Sequence, residues 1–375
     1  MPFAGGGDMG DGDRREPRAV PVTPGGGAER TQAGGLGAAP ARPVRRAVLM
    51  GDPTHFAIRG GANPHTRTRW GRRKRVDRQR AVAQWHGLAR TLERYGVAVF
   101  VVPPAAACPG LVYPANAGIL HPIEAPWPAA RKRFHLSNLL PTRAAEQPIY
   151  AEFLQRLGVP TARLEAAFEG EADFFPVGGR YLFTHGAIER QRFVPRFGIP
   201  PYRRVYGFRS EIAALAELAA IAMDVDVLPV ELVNEAYYHG DTVLCSWGPG
   251  RRFLFAYLEG IERRAAARLG AVLGDDLVSL SAEDAALYAA NSYSLADEDG
   301  ACVFMPQGVS ERLQAQVRDR GVTPILVDVS EFLRKGGGSV KCMIGDLGPW
   351  TDEGAGEAAL AFRRGRRYTS VYQAT

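Results

Sequence analysis

The chain has 375 residues, 46% hydrophobic and 23% charged, with 46 Lys and Arg against 40 Asp and Glu for a net charge of +6. That balance fits a globular protein with a deep core. It argues against a miniature held by disulfides, because the four cysteines, Cys108, Cys245, Cys302 and Cys342, form no C-x-x-C pair.

In chain order, residues 1–43 are rich in Gly, Pro, Ala and Arg without apolar periodicity and are expected to form a disordered tail. Asp8, Asp11 and Asp13 fall where an apolar leader core would lie, and the longest strongly apolar run, 97–102, is too short to span a bilayer. A soluble, cytoplasmic protein with no membrane partner is expected. The arginines concentrate in the flanks and in the run 67–80 without a nucleic-acid motif, which disfavours nucleic acid as a partner. Residues 44–353 read as the folded domain and 354–375 as a second, basic tail.

Within 44–353 one pattern recurs: an amphipathic helix, a stop, then a β-branched strand. It appears over 88–102, 150–166, 211–232, 261–280 and 311–329. Five copies at intervals of roughly 45–65 residues point to an α/β repeat architecture closed into a ring. Gly96, Gly158, Gly270 and Gly321 are the expected helix stops.

The polar residues after each strand matter most. They are Asn116, then Glu169 and Asp173, then His239 and Asp241, then Asn291, and finally Cys342. Equivalent places in repeated units lie at one end of a cyclic fold, so these side chains are expected to converge. Cys342 follows a Gly-rich loop, 336–338, that allows close backbone approach. Beside a histidine or a cationic ligand, such a thiol becomes a nucleophile. A lone histidine after a strand is ordinarily structural. His239, with carboxylates near it, is suited to general acid–base work. Grouped carboxylates suit a planar cation with several N–H donors. Arg143 and Arg209 are loop arginines suited either to a surface ion pair or to clamping a carboxylate.

Together, Asn63-Pro64, ANAG (115–118), FEGxxD (168–173), GFRS (207–210), YHxD (238–241) and GGGSVKCM (336–343) resemble the amidinotransferase and dimethylarginine hydrolase branch of the guanidino-modifying enzymes. The resemblance covers about 48–347. It implies a five-bladed α/β propeller, the pentein fold, and a small guanidino substrate with no metal or organic cofactor. It implies that Cys342 attacks the guanidinium carbon, His239 serves as acid and base, and Glu169 supports it. Asn63, Asn116, Asp173, Asp241, Asn291, Arg143 and Arg209 would surround the substrate. Asp173 and Asp241 would hold its guanidinium, and the two arginines would hold its carboxylate. Asn116 stands where deiminases carry Asp and resembles the arginine dihydrolases. Ala115, Gly110 and Gly240 also depart from the pattern, and the stretch 178–204 reads as an insertion. Hydrolysis of a linear amidine is the leading expectation. Amidino transfer to an amine is the alternative in the same class, and a non-catalytic binding protein on the same fold is the alternative outside it. Homo-oligomerisation is left open.

Overall fold

The computed structural model describes residues 45–351, 363 and 364, apart from 60–62, 69, 71, 190–191, 197–198 and 298–299. The expected tails therefore lie outside the described residues, except for Arg363 and Arg364. Between them the helix-then-strand alternation resolves into five three-stranded sheets built to one plan. In each, two strands pair antiparallel, and a helix then delivers a third, parallel to the middle one. In the second sheet, Gly118–His121 and Arg133–Leu136 run antiparallel, and helix Gln147–Arg156 leads to Thr161–Arg163. The third, fourth and fifth sheets repeat this around Arg180–His185, Phe253–Ala256 and Gly300–Pro306. A parallel partner requires a crossover, which is why each β-branched run follows an amphipathic helix.

The first sheet joins distant parts of the chain. Its middle strand, Arg45–Gly51, pairs parallel with Ala98–Val102 and antiparallel with Gly345–Trp350. Helix Arg78–Arg94 connects the first two: Asp77 caps it by accepting from the Arg80 amide at 3.1 Å. Ala81, Trp85, Leu88 and Leu92, three or four residues apart, bury its inner face.

Gly96, Gly158 and Gly321 take positive φ (77°, 75° and 73°) just past their helices, as expected of stops. Gly270 does not. Helix Arg263–Leu273 runs through it and stops at Gly274 (φ 51°), so the strand that follows is only Leu277–Ser279. The 178–204 insertion is also shorter than expected. Arg180–His185 is the middle strand of the third sheet, and a hairpin of Arg192–Arg196 and Ile199–Val205 forms most of the remainder. Among the described residues, no helix is long and apolar enough to cross a membrane.

An ion cluster centred on the buried Asp346 ties three sheets together. Its carboxylate accepts from Arg46 Nη2 and from Arg251 Nη2, each at 2.7 Å. Glu124 accepts from the same two arginines at 2.7–3.0 Å. Burial alone would raise the Asp346 carboxyl, but the two guanidinium groups hold it well below the usual carboxylate range. Asp346→Ala would leave the arginines buried and short of charge. Denaturant titration should show a loss of about 3–5 kcal/mol; a change under about 1 kcal/mol would mean that Glu124 suffices.

Candidate active site

After the third strand of each sheet the chain crosses to the next sheet, and four of the five crossings end in a 3-10 turn that aims the polar residues. Asn116 ends the turn Pro114–Asn116, Glu169 precedes Gly170–Ala172, His239 precedes Gly240–Thr242, and Cys342 sits within Lys341–Met343. Asn291 stands in the remaining crossing, two residues before strand Tyr293–Asp297. Gly170 (φ 71°) lets two turns touch, because a Cβ there would lie 2.4 Å from the carbonyl oxygen of Ala115. At Gly240 a Cβ would lie 2.2 Å from Thr184 Oγ1, so this position has no room for a larger side chain.

The crossings bring the expected residues together. His239 Nε2 lies 2.9 Å from Glu169 Oε2, with both side chains buried. The Asn291 amide organises the nucleophile's loop. Its Oδ1 accepts from the Ser339 and Cys342 amides, both at 3.0 Å, and its Nδ2 donates to Cys342 Sγ at 3.1 Å. Asp241 Oδ2 lies 3.4 Å from the same sulfur. Cys342, His239 and Glu169 all face one cavity of about 220 Å³. Two buried polar atoms of this set, Glu169 Oε1 and His239 Nδ1, have no hydrogen-bond partner among the described residues.

Other expected residues are placed differently. Asp173 is not among the described residues lining the cavity. Its oxygens accept from Thr184 Oγ1 (2.6 Å), Ser210 Oγ (2.6 Å) and the Gly240 amide (2.8 Å). These bonds fix the backbone beside His239. Asp241 reaches the thiol from behind and Asn291 braces the loop, and neither lines the cavity. Asn63 does line it, and its Nδ2 ties the Gly-rich loop by donating to the Gly336 carbonyl at 2.9 Å.

Both expected clamps face the cavity but are already committed. Arg143 forks onto Glu146 (3.0 and 2.6 Å) and donates to Asn116 Oδ1 at 2.6 Å and to the Gly110 carbonyl at 3.1 Å. Arg209 donates to the Gly207 and Phe208 carbonyls at 2.9 and 3.2 Å, with its guanidinium 4.9 Å from the Tyr238 ring centre. Sequence reasoning missed Glu146, Tyr113, Tyr238, Arg59 and Cys108 in the cavity wall. Tyr238 precedes His239 and was the one residue within reach of the motif reading. Nothing in the sequence distinguishes Glu146 from a solvated carboxylate.

Burial would raise the Glu169 carboxyl, but the hydrogen bond and charge of His239, followed by Arg143 and Arg209, hold it at about 2. Asp241 is pushed up to about 6, chiefly by burial, against the pull of His239 and Lys341. Burial and then the Asp241 charge push the Cys342 thiol well above its ordinary value.

A family model described as N,N-dimethylarginine dimethylhydrolase, eukaryotic, matches residues 205–348. The N(G),N(G)-dimethylarginine dimethylaminohydrolase of Mycobacterium tuberculosis is 33% identical over 313 residues, covering 83% of this chain and 89% of that protein. The bifunctional arginine dihydrolase/ornithine cyclodeaminase AgrE of Nostoc is 27% identical over 301 residues, covering 79% of this chain and 37% of that protein. A crystal structure of AgrE with ornithine and NAD+ superposes with a TM-score of 0.66 at 25% identity, over 81% of this chain and 39% of that one. The chain thus spans under half the length of the bifunctional relative.

The Asp241 charge opposes thiolate formation, so its removal should lower the Cys342 pKa. The rate of iodoacetamide labelling at Cys342, followed by peptide mass spectrometry across pH, should rise at lower pH in Asp241→Asn than in the wild type. An unmoved or upward-shifted profile would show that Asp241 does not control the thiol.

Proposed function

Since the chain belongs to the dimethylarginine dimethylaminohydrolase family, we propose that it hydrolyses a C–N bond in the guanidino group of arginine or an arginine derivative. The observation that carries this reading is the meeting of Cys342 and the Glu169–His239 pair at one cavity, with Glu169 Oε1 left as an acceptor for guanidinium N–H groups.

Burial and the Asp241 charge hold the Cys342 thiol neutral, and a bound guanidinium supplies the positive charge that favours the thiolate. Sγ adds to the guanidinium carbon. The C–N bond breaks as His239 gives a proton to the departing nitrogen, leaving an amidino-thioether on Cys342. His239 then takes a proton from water, whose oxygen adds to the same carbon. The C–S bond breaks, the thiolate returns, and a ureido product leaves. Asp241 and Asn291 position the sulfur, and Asp173 positions His239 through Gly240. The five like-built sheets, the last strand of which completes the first sheet, support a five-bladed propeller closed around this cavity. The four free, buried cysteines suit a reducing compartment.

Asn116 bears on how far hydrolysis proceeds. Its Oδ1 is occupied by Arg143, so the amide presents Nδ2, whose contact to the Glu169 carbonyl is a weak 3.5 Å. An N–H donor repels a guanidinium and suits the oxygen of a neutral ureido group. A citrulline-like product can therefore be held for a second hydrolysis, which consumes water and gives the amine ornithine with release of ammonia and carbon dioxide.

Mass spectrometry of products from arginine and its methylated forms, with and without amine acceptors, tests the reading. Ornithine or citrulline should form, and Cys342→Ser should fold yet lose turnover by about a thousandfold or more. Wild-type-like turnover in that variant, or acceptor-dependent guanidino products, would overturn hydrolysis at Cys342. Asn116→Asp should shift the products of arginine from ornithine toward citrulline. Quantitative citrulline release by the wild type would remove the second step.

A further inference from the structure

The side of Cys342 turned away from the substrate cavity carries a charge of its own. Lys341 precedes the nucleophile in the turn Lys341–Met343, is buried, and is not among the described residues lining the substrate cavity. An ammonium is kept in such a place only when it is paired. Its Nζ lies 2.8 Å from Glu171 Oε1 and donates to the Ile344 carbonyl at 3.0 Å. Glu171 stands in the turn Gly170–Ala172, which follows Glu169, and its Oε1 also accepts from the Asp346 amide at 2.6 Å. The pair therefore joins the turn that carries the thiol to the turn beside the partner of His239.

Behind the thiol lies a second, small cavity of about 20 Å³, with Asp241, Lys341, Glu171 and Arg251 in its wall. It has room for one water. Asp241 faces two ways. Its Oδ2 lies 3.4 Å from Cys342 Sγ, while its buried Oδ1 has no partner among the described residues. Arg251 is committed to Glu124 and Asp346. Burial raises the Asp241 carboxyl, His239 and then Lys341 pull it down, and Asp173 pushes it up. Across so small a gap, little water screens one charge from another.

We propose that Lys341 is a positioning residue for the reaction: through the rear cavity its ammonium offsets the Asp241 charge, so that the Cys342 thiolate comes within reach when a guanidinium binds, and Glu171 holds and moderates that ammonium. This rests on the hydrolase reading above. Without Lys341 the thiolate would form beside an unrelieved carboxylate. Without the Glu171 charge the ammonium would act unopposed, and the thiolate would form more readily.

Iodoacetamide labelling of Cys342 across pH, read by peptide mass spectrometry, tests this together with steady-state kinetics on arginine. At about pH 8 Asp241 is ionised. There Lys341→Met should label about tenfold more slowly than the wild type, because the thiol pKa rises. Glu171→Gln should label faster, and Lys341→Arg should stay near the wild type. In each variant kcat/KM should move the same way, with the change falling on kcat. Lys341→Met/Glu171→Gln removes both charges and should label as slowly as Lys341→Met; it decides the question if the single variant does not fold. If the two opposite substitutions shift the profile in the same direction, or if losing the ammonium leaves it unmoved, packing rather than charge is at work and the inference falls while the hydrolase reading stands. If the wild type turns over neither arginine nor its methylated forms, the hydrolase reading falls, and the role of Lys341 in that reaction with it, whatever the labelling shows.

Discussion

The candidate site depends on one buried hydrogen bond, that between Glu169 and His239. A carboxylate with 1% of its surface exposed would ordinarily take up a proton. Here the imidazole at 2.9 Å and the arginines behind it keep Glu169 ionised. The ionised Glu169 fixes the orientation of the imidazole, so that one ring nitrogen is committed and the other has no partner among the described residues. Much of the nearby structure holds this pair in register. Ser210 Oγ accepts from the Glu169 amide at 3.1 Å, and Asp173 anchors Gly240 on the other side. Removing the charge of Glu169 would release both the orientation of His239 and the reason for the surrounding cations.

The thiol is governed by the opposite arrangement. Asn291 donates to Cys342 Sγ, which favours the thiolate, while Asp241 and burial oppose it more strongly. A buried thiol kept neutral is inert toward chance electrophiles. The same burial strengthens the effect of any cation that enters, because charges interact more strongly where water is excluded. Selectivity and activation therefore have one physical source: a guanidinium is both the group recognised and the charge that favours the nucleophilic form.

The convergence of Asn116, Glu169, His239, Asn291 and Cys342 was legible because each stands after the last strand of a repeated unit. A repeat needs only periodicity to be seen. The direction each side chain takes was not legible. Asp173 looks like a substrate carboxylate in FEGEAD, yet its partners are Thr184, eleven residues on, and Gly240, sixty-seven residues on. Arg143 looks like a free clamp, yet Glu146 in the next turn occupies its fork. Such commitments are decided by tertiary packing between sheets, to which a local pattern carries no reference. The same limit explains Gly270: a glycine that could stop a helix is overridden when Val272 and Leu273 continue it and Gly274 supplies the turn.

The atoms left without partners then take on meaning as a set. Glu169 Oε1, His239 Nδ1 and Asp241 Oδ1 are buried and, among the described residues, unpartnered. A buried polar atom without a partner costs about 1–3 kcal/mol, a cost native structures rarely accept without reason. Asp173, equally buried in the same neighbourhood, has both oxygens satisfied. Of the three residues, Glu169 and His239 line the cavity and Asp241 does not. The unpartnered atoms are acceptors or a titratable nitrogen, the complement of a cation rich in N–H donors. A ligand that satisfies Glu169 Oε1 and His239 Nδ1 gains stabilisation, and the gain is greatest where charge develops as the C–N bond breaks.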